Sequence, residues 1–146
     1  MITHKATTMV RKPVADVFRF VAEDYLTNHP KWAPGVVSLH LEGTGPVAAG
    51  TRGREVRRQG SRNVTYNFEV TDYVPNKLIA IKAKGRPAQF AAVYAVNAIN
   101  DKESELEVQF KLKIGGLLRL IEPFMAGSIR KEVASVCSRI KVMLET

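Results

Sequence analysis

Between about residue 36 and residue 114, apolar and polar positions alternate with a period of two, and turn-forming residues separate the alternating runs. The clearest run is "VTYNFEVTDYV": Val64, Tyr66, Phe68 and Val70 share one face, and Thr65, Asn67, Glu69 and Thr71 share the other. Further strands are expected in "VVSLHLEG", "TRGREVRRQ", "LIAIKAKG", "AQFAAVYAVNAI" and "SELEVQFKLKI", the last with Leu106, Val108, Phe110 and Leu112 inward. The connections "GSRN", "VPNK" and "NDKE" are short, so these six strands form a consecutive antiparallel meander.

The flanks read differently. "ITHKATTMV" alternates weakly and predicts an edge strand ended by "RKP". Pro13 fits the first turn of a helix over about 13–23, whose apolar face is Val14, Val17, Phe18 and Val21. "DYLTNHPKWAPGV" mixes prolines with Tyr25, Leu26 and Trp32 and predicts a second helical turn followed by a loop. After Gly115 and Gly116, a stripe at three- and four-residue steps runs from Leu117 through Leu120, Ile121, Phe124, Met125, Ile129, Val133, Val136 and Ile140 to Leu144. It predicts one helix of roughly 28 residues, about 40 Å long, interrupted by Pro123 and Gly127. Proline in a helix interior costs about 3 kcal/mol, so Pro123 either kinks this helix or marks its true start. Gly127 is expected to thin the helix where the sheet curves most.

A chain of 146 residues without repeats or linkers suits a single domain over residues 1–146. The lone Cys137 forms no internal disulfide and has no neighbours at metal-ligand spacing, so neither a metal nor a cofactor is expected. No apolar run approaches the roughly 18 residues of a membrane span, and a soluble, cytoplasmic protein, monomeric or homodimeric, is the expectation. Lysine and arginine outnumber aspartate and glutamate by 22 to 14, giving a net charge of +8. The excess is densest in "RGREVRRQGSR" and on the expected outer faces of Lys82, Lys84, Lys111 and Lys113. Charge alone, without a recognition helix, finger spacing or aromatic RNA-binding signature, implies no specific nucleic-acid partner; it allows weak, salt-sensitive docking of an anionic surface.

The order of strand, two short helices, six-strand meander and long C-terminal helix is the helix-grip arrangement of the α+β class. The chain resembles the START-like superfamily, in the branch of polyketide cyclase/dehydrase and lipid-transport proteins. The resemblance is carried by Pro13 with "VADVFRFVAE", by "HPKWAPGV", "GPVAAGTRGRE", "YNFEVTDYVPNKLIAIK" and "GGLLRLIEP", and by the closing "IKVMLE". It implies a curved sheet of about seven strands around the last helix, with a cavity between them for a hydrophobic or amphipathic small molecule of lipid, sterol or polyketide type. Its implied wall includes Trp32, Gly53, Glu55, Tyr66, Phe68, Phe90, Tyr94, Phe110, Phe124 and Met125, with small companions such as Ala92 and Gly127; a filled core is the alternative. Relatives often carry a bulky apolar residue where Gly53 stands, which implies extra room beneath the third strand. If Gly53 is inward, so are Glu55 and Arg57, and Glu55 becomes the principal polar group of the cavity or half of a structural ion pair. The segment before Pro123, with loops around Trp32 and Pro87, is expected to form the mouth, and the helix beyond Phe124 the fixed core.

Catalytic signals are sparse. His4, His29 and His40 are expected on an edge strand, a loop and a strand, without partner spacing, and the serines lack a nucleophile-elbow pattern. Cys137 is expected as a small core residue. An enzyme of the cyclase, aromatase or dehydratase kind would rest on Glu55 and Tyr66 with cavity shape; binding without catalysis is the more economical expectation.

Overall fold

Alternation and turns produce the expected sheet. A computed structural model describes residues 1–86 and 88–146. The strands are β1 (Ile2–Val10), β2 (Val36–Leu41), β3 (Arg52–Gln59), β4 (Arg62–Val74), β5 (Leu78–Lys84), β6 (Ala88–Ala98) and β7 (Ser104–Ile114), all antiparallel in the order β1-β7-β6-β5-β4-β3-β2. Tight connections make β2 to β7 a meander, and β1 closes the β7 edge. Register shifts at Val36/Ser38 and Val70/Asp72 add local bends, because an extra residue in one strand increases its twist.

On the concave face lie α1 (Val14–Phe18), continued by a wider helical turn over Arg19–Glu23, then α2 (Tyr25–Trp32). Pro13 accepts the first helical N–H bonds from Asp16 and Val17, at 3.0 and 3.2 Å. The expected loop around His29 is therefore helix, with Tyr25, Asn28, His29 and Trp32 buried. Spacings of three and four put them on the face turned to the sheet.

The C-terminal stripe is split. Gly116–Ile121 forms a 3₁₀ segment, and α3 runs over Glu122–Glu145, packing chiefly across β1 and β7. Pro123 sits in the first turn of α3, where its missing N–H is not needed, so it marks a start and not a kink. The 24 residues of α3 span about 36 Å, less than the single helix expected. The inward stripe begins at Met125 and continues through Ile129, Val133, Val136, Ile140 and Leu144. Leu117, Leu120 and Phe124, expected on that stripe, are 87%, 77% and 84% exposed: the 3₁₀ segment does not continue the phase of α3, and Phe124, in the first turn of α3, falls on its outward face. Gly127 is exposed, and a Cβ added there would meet nothing within 4 Å, so it does not thin the helix against the sheet.

Val10, Val17, Phe18, Val21, Val70, Ile79, Leu106 and Ile140 are fully buried, joining α1, both sheet halves and α3 in one cluster. Each such side chain contributes about 1.5–3 kcal/mol. This cluster fixes how α1 and α3 lie on the sheet, and the space left toward the other end of α3 is the site.

Candidate ligand site

Between the concave face, α2 and the first half of α3 lies a cavity of about 510 Å³. Its wall is mainly apolar and aromatic: Trp32 and Tyr25 from α2, Tyr66 from β4, Phe90 and Tyr94 from β6, Phe110 from β7, and Met125, Ile129 and Val133 from α3. Alternation along β6 points Phe90, Ala92 and Tyr94 at α3, with the small Ala92 leaving space between two rings. Gly35, Gln59, Leu118, Ile121 and Glu132 also line the cavity but are solvent-exposed, which places the mouth between the β3–β4 end, the α2–β2 loop and the 3₁₀ segment. Trp32 is fully buried, so it belongs to the interior and not to the mouth; Pro87 lies outside the described residues.

Polar chemistry is concentrated on one wall. On β3, Gly53 and Glu55 are buried and Arg57 half-buried, whereas Arg52, Arg54 and Arg58 are exposed. Glu55 is 3% exposed and accepts from His29 Nε2 at 2.7 Å and from Arg57 Nε at 2.7 Å, one to each carboxylate oxygen. Burial pushes its carboxyl up, but the His29 hydrogen bond and the Arg57 charge outweigh that and hold it at about 2. Burial lowers the His29 pKa, opposed by Glu55, so the neutral ring donates through Nε2. Nδ1 of His29 is then an acceptor, and among the described residues it is the buried side-chain polar atom without a partner. The Arg57 guanidinium also lies over the Phe90 ring, 4.8 Å from its centroid, with a terminal nitrogen 3.4 Å from His29 Nε2.

Aromatic contacts hold this wall still. Tyr25 stacks on His29 at 4.6 Å, and Trp32 Nε1 donates to Tyr94 Oη at 3.2 Å. Burial pushes the Tyr94 phenol up to about 12 and that of Tyr25 well above its usual range, so both stay neutral. Gln59 donates to Tyr66 Oη at 2.9 Å, anchoring the ring beside the mouth.

Of the residues singled out from sequence, Trp32, Tyr66, Phe90, Tyr94, Phe110 and Met125 meet on the cavity wall. Glu55 does not line it: the carboxylate lies behind His29 and Arg57, which do. Gly53 opens no extra room, because Phe68 fills it; a Cβ there would come within 2.4 Å of the Phe68 ring and 2.3 Å of the His40 carbonyl oxygen. Phe68 is consequently core and not wall, and Phe124 faces outward altogether. Sequence reasoning missed His29, read as a loop residue. The available signal was the spacing Tyr25, His29, Trp32, four and three residues apart, which marks one helical face.

Among the described residues no group of His, Cys, Asp and Glu is placed to hold a metal ion, and no helix is long and apolar enough to cross a membrane. Solved structures share the fold at low identity. A conserved protein from Geobacillus kaustophilus matches with a TM-score of 0.76 and 18% identity, over 98% of this chain and 95% of its own. Norcoclaurine synthase from Thalictrum flavum, in complex with dopamine and hydroxybenzaldehyde, matches at 0.68 and 12%, over 99% and 88%. The di-domain ARO/CYC BexL from the BE-7585A biosynthetic pathway matches at 0.70 and 16%, over 100% of this chain but 48% of its own. No curated protein matches by sequence. The family model for polyketide cyclase/dehydrase and lipid transport matches residues 1–145, and with the helix-grip fold this establishes that the chain belongs to that family.

Proposed function

We propose that the protein binds a hydrophobic or amphipathic small molecule, of lipid, sterol or aromatic polyketide type, in the cavity beneath α3. The observation that carries this reading is the cavity itself, about 510 Å³ with a mainly aromatic and apolar wall, Arg57 and His29 on one side and Gln59 and Glu132 at the mouth. Ligand pockets of small organic molecules are of this size and character. Burying about ten methylenes contributes roughly 8 kcal/mol, against an association cost of about 4 kcal/mol or more, so apolar contact alone gives modest affinity. The polar wall supplies the orientation: Arg57, half-buried on that wall, suits an anionic or carbonyl oxygen.

A cyclase- or dehydratase-like reaction is the second reading, and the observation favouring it is His29, a histidine that burial keeps neutral and that lines the cavity beside Arg57. The catalyst would then be His29 and not Glu55, whose two oxygens are both engaged. A thermal-shift panel of fatty acids, sterols and polycyclic aromatics tests binding, with Trp32 fluorescence as a second readout. Ligand at about a hundredfold its Kd adds about 2.7 kcal/mol, roughly 8 °C for a domain of this size. Ile129→Trp, which fills the cavity from α3, is expected to abolish the shift while leaving the fold intact. A panel that moves neither Tm nor Trp32 emission would overturn the reading.

A further inference from the structure

Leu117, Leu120 and Phe124 are 87%, 77% and 84% exposed, side by side on the 3₁₀ segment and the first turn of α3. Exposed large side chains scattered singly need no explanation, but three within eight residues form a crest. None of the three lines the cavity, whereas Leu118 and Ile121, between them in sequence, do. The crest therefore stands at the mouth with its own outward face.

The charges around it are mostly basic, and the exposed Glu132 at the mouth is paired with Arg139 at 3.0 Å. Antiparallel register brings the start of β1, β4 and β6 and the end of β3, β5 and β7 to this end of the sheet. Arg62, Lys84, Arg86, Lys113 and Arg119 lie there, all exposed. The carboxylate within the segment, Glu122, is taken by the N-terminal ammonium. The far end of the sheet is mixed, with Glu42, Asp72, Asp101, Glu103 and Glu105 interspersed with Arg11, Lys12, Arg52, Lys77 and Lys102.

We infer that this end of the molecule docks on an anionic phospholipid bilayer, with Leu117, Leu120 and Phe124 entering the interface and the surrounding lysines and arginines resting on the headgroups. An apolar crest within a basic collar matches both layers of such a surface. A second copy of the chain is a poorer occupant, since a two-fold contact through this face would press the collar against itself. Nucleic acid would satisfy the cations but leave the three apolar side chains in water. Docking here would set the cavity mouth against the bilayer, but it requires no ligand in the cavity.

Sedimentation with vesicles tests it, comparing phosphatidylcholine alone with phosphatidylcholine containing about one-third phosphatidylglycerol. The protein is expected to bind the anionic vesicles and largely ignore the neutral ones. Leu117→Ser, Leu120→Ser and Phe124→Ser combined should lower the partition coefficient at least about tenfold without moving the unfolding midpoint. Arg86→Glu with Arg119→Glu should cost about fivefold or more per cation reversed, on anionic vesicles only. As a gain-of-signal check, the emission of Leu120→Trp should shift to the blue on anionic vesicles. Equal affinity for both vesicle types, no binding to either, or full binding by the triple serine variant would overturn the inference. So would a wild-type dimer that the triple variant dissolves, which would make the crest an interface between copies.

Discussion

Replacing Glu55 by glutamine removes the charge that holds the polar wall together. In the folded protein the carboxyl is held at about 2 against an ordinary value of 4.5, with burial opposing the shift and His29 and Arg57 causing it. At about 1.4 kcal/mol for each pH unit between those values, the ionised carboxylate adds about 3 kcal/mol to folding. The folded value is depressed, so this stability is present in full above about pH 4.5 and is lost as pH falls toward about 2. The lowered pKa of His29 acts with the same sign and begins earlier, below its ordinary 6.5, where the unfolded chain takes up the proton first. Glu55→Gln also leaves the half-buried Arg57 guanidinium without its counter-charge, a loss that in buried pairs reaches about 3–5 kcal/mol. Urea unfolding at pH 7 should therefore show the variant about 3 kcal/mol less stable, and between pH 4.5 and 2.5 it should lose less further stability than the wild type. Glu55→Met combined with Arg57→Met, which removes both charges, should recover part of the loss. A Glu55→Gln protein within about 0.5 kcal/mol of wild type at pH 7 would refute the assignment of Glu55 as the wall's organising charge.

Other substitutions and probes test neighbouring parts of the argument. Gly53→Ala should destabilise by about 1–3 kcal/mol in urea unfolding, because its Cβ would lie 2.3 Å from a backbone oxygen that cannot move aside cheaply. Cys137 is 3% exposed and burial pushes its thiol up to about 11, so it should resist a thiol reagent at pH 8 until the protein unfolds, then react at the unfolding rate. Hydrogen exchange should be faster over Gly116–Ile121 than over the α3 residues from Ile129 to Ile140; uniform protection across Pro123 would contradict a mobile mouth beside a fixed anchor.

Much of the frame was legible in the chain because strands and turns announce themselves locally. The alternation Val64, Tyr66, Phe68, Val70 specified the inward face of β4, and the short connections specified neighbouring antiparallel strands. What a residue does once it points inward was less legible. Phe68 and Tyr66 sit two apart on one face, yet one ring fills the space over Gly53 and the other lines a cavity. Both rings pack over a glycine, Phe68 over Gly53 and Tyr66 over Gly85, so the distinction comes from what covers each ring from the helix side, and no periodicity within one strand encodes that. The C-terminal stripe misled for a related reason: Leu117 and Leu120 keep helical spacing in sequence, but the backbone there winds with three residues per turn and carries them away from the sheet, and α3, starting afresh at Glu122, turns Phe124 outward.

By itself, the sequence determined the α+β class, the consecutive six-strand meander and the edge position of β1, it left Pro123 as either a kink or a helix start, and its motifs pointed to the family. These follow from local propensities, short connections and the absence of an N–H at proline, all of which act within a few residues. Only the tertiary structure decided that His29, 26 residues from Glu55, would become its partner, that Arg57 would lie over Phe90, and that Phe124 would face water. Those outcomes depend on the angle at which α2 and α3 lie on a curved sheet. That angle is set by how the core of Val17, Phe18, Leu106 and Ile140 packs around both, a property of the whole arrangement and of no single segment.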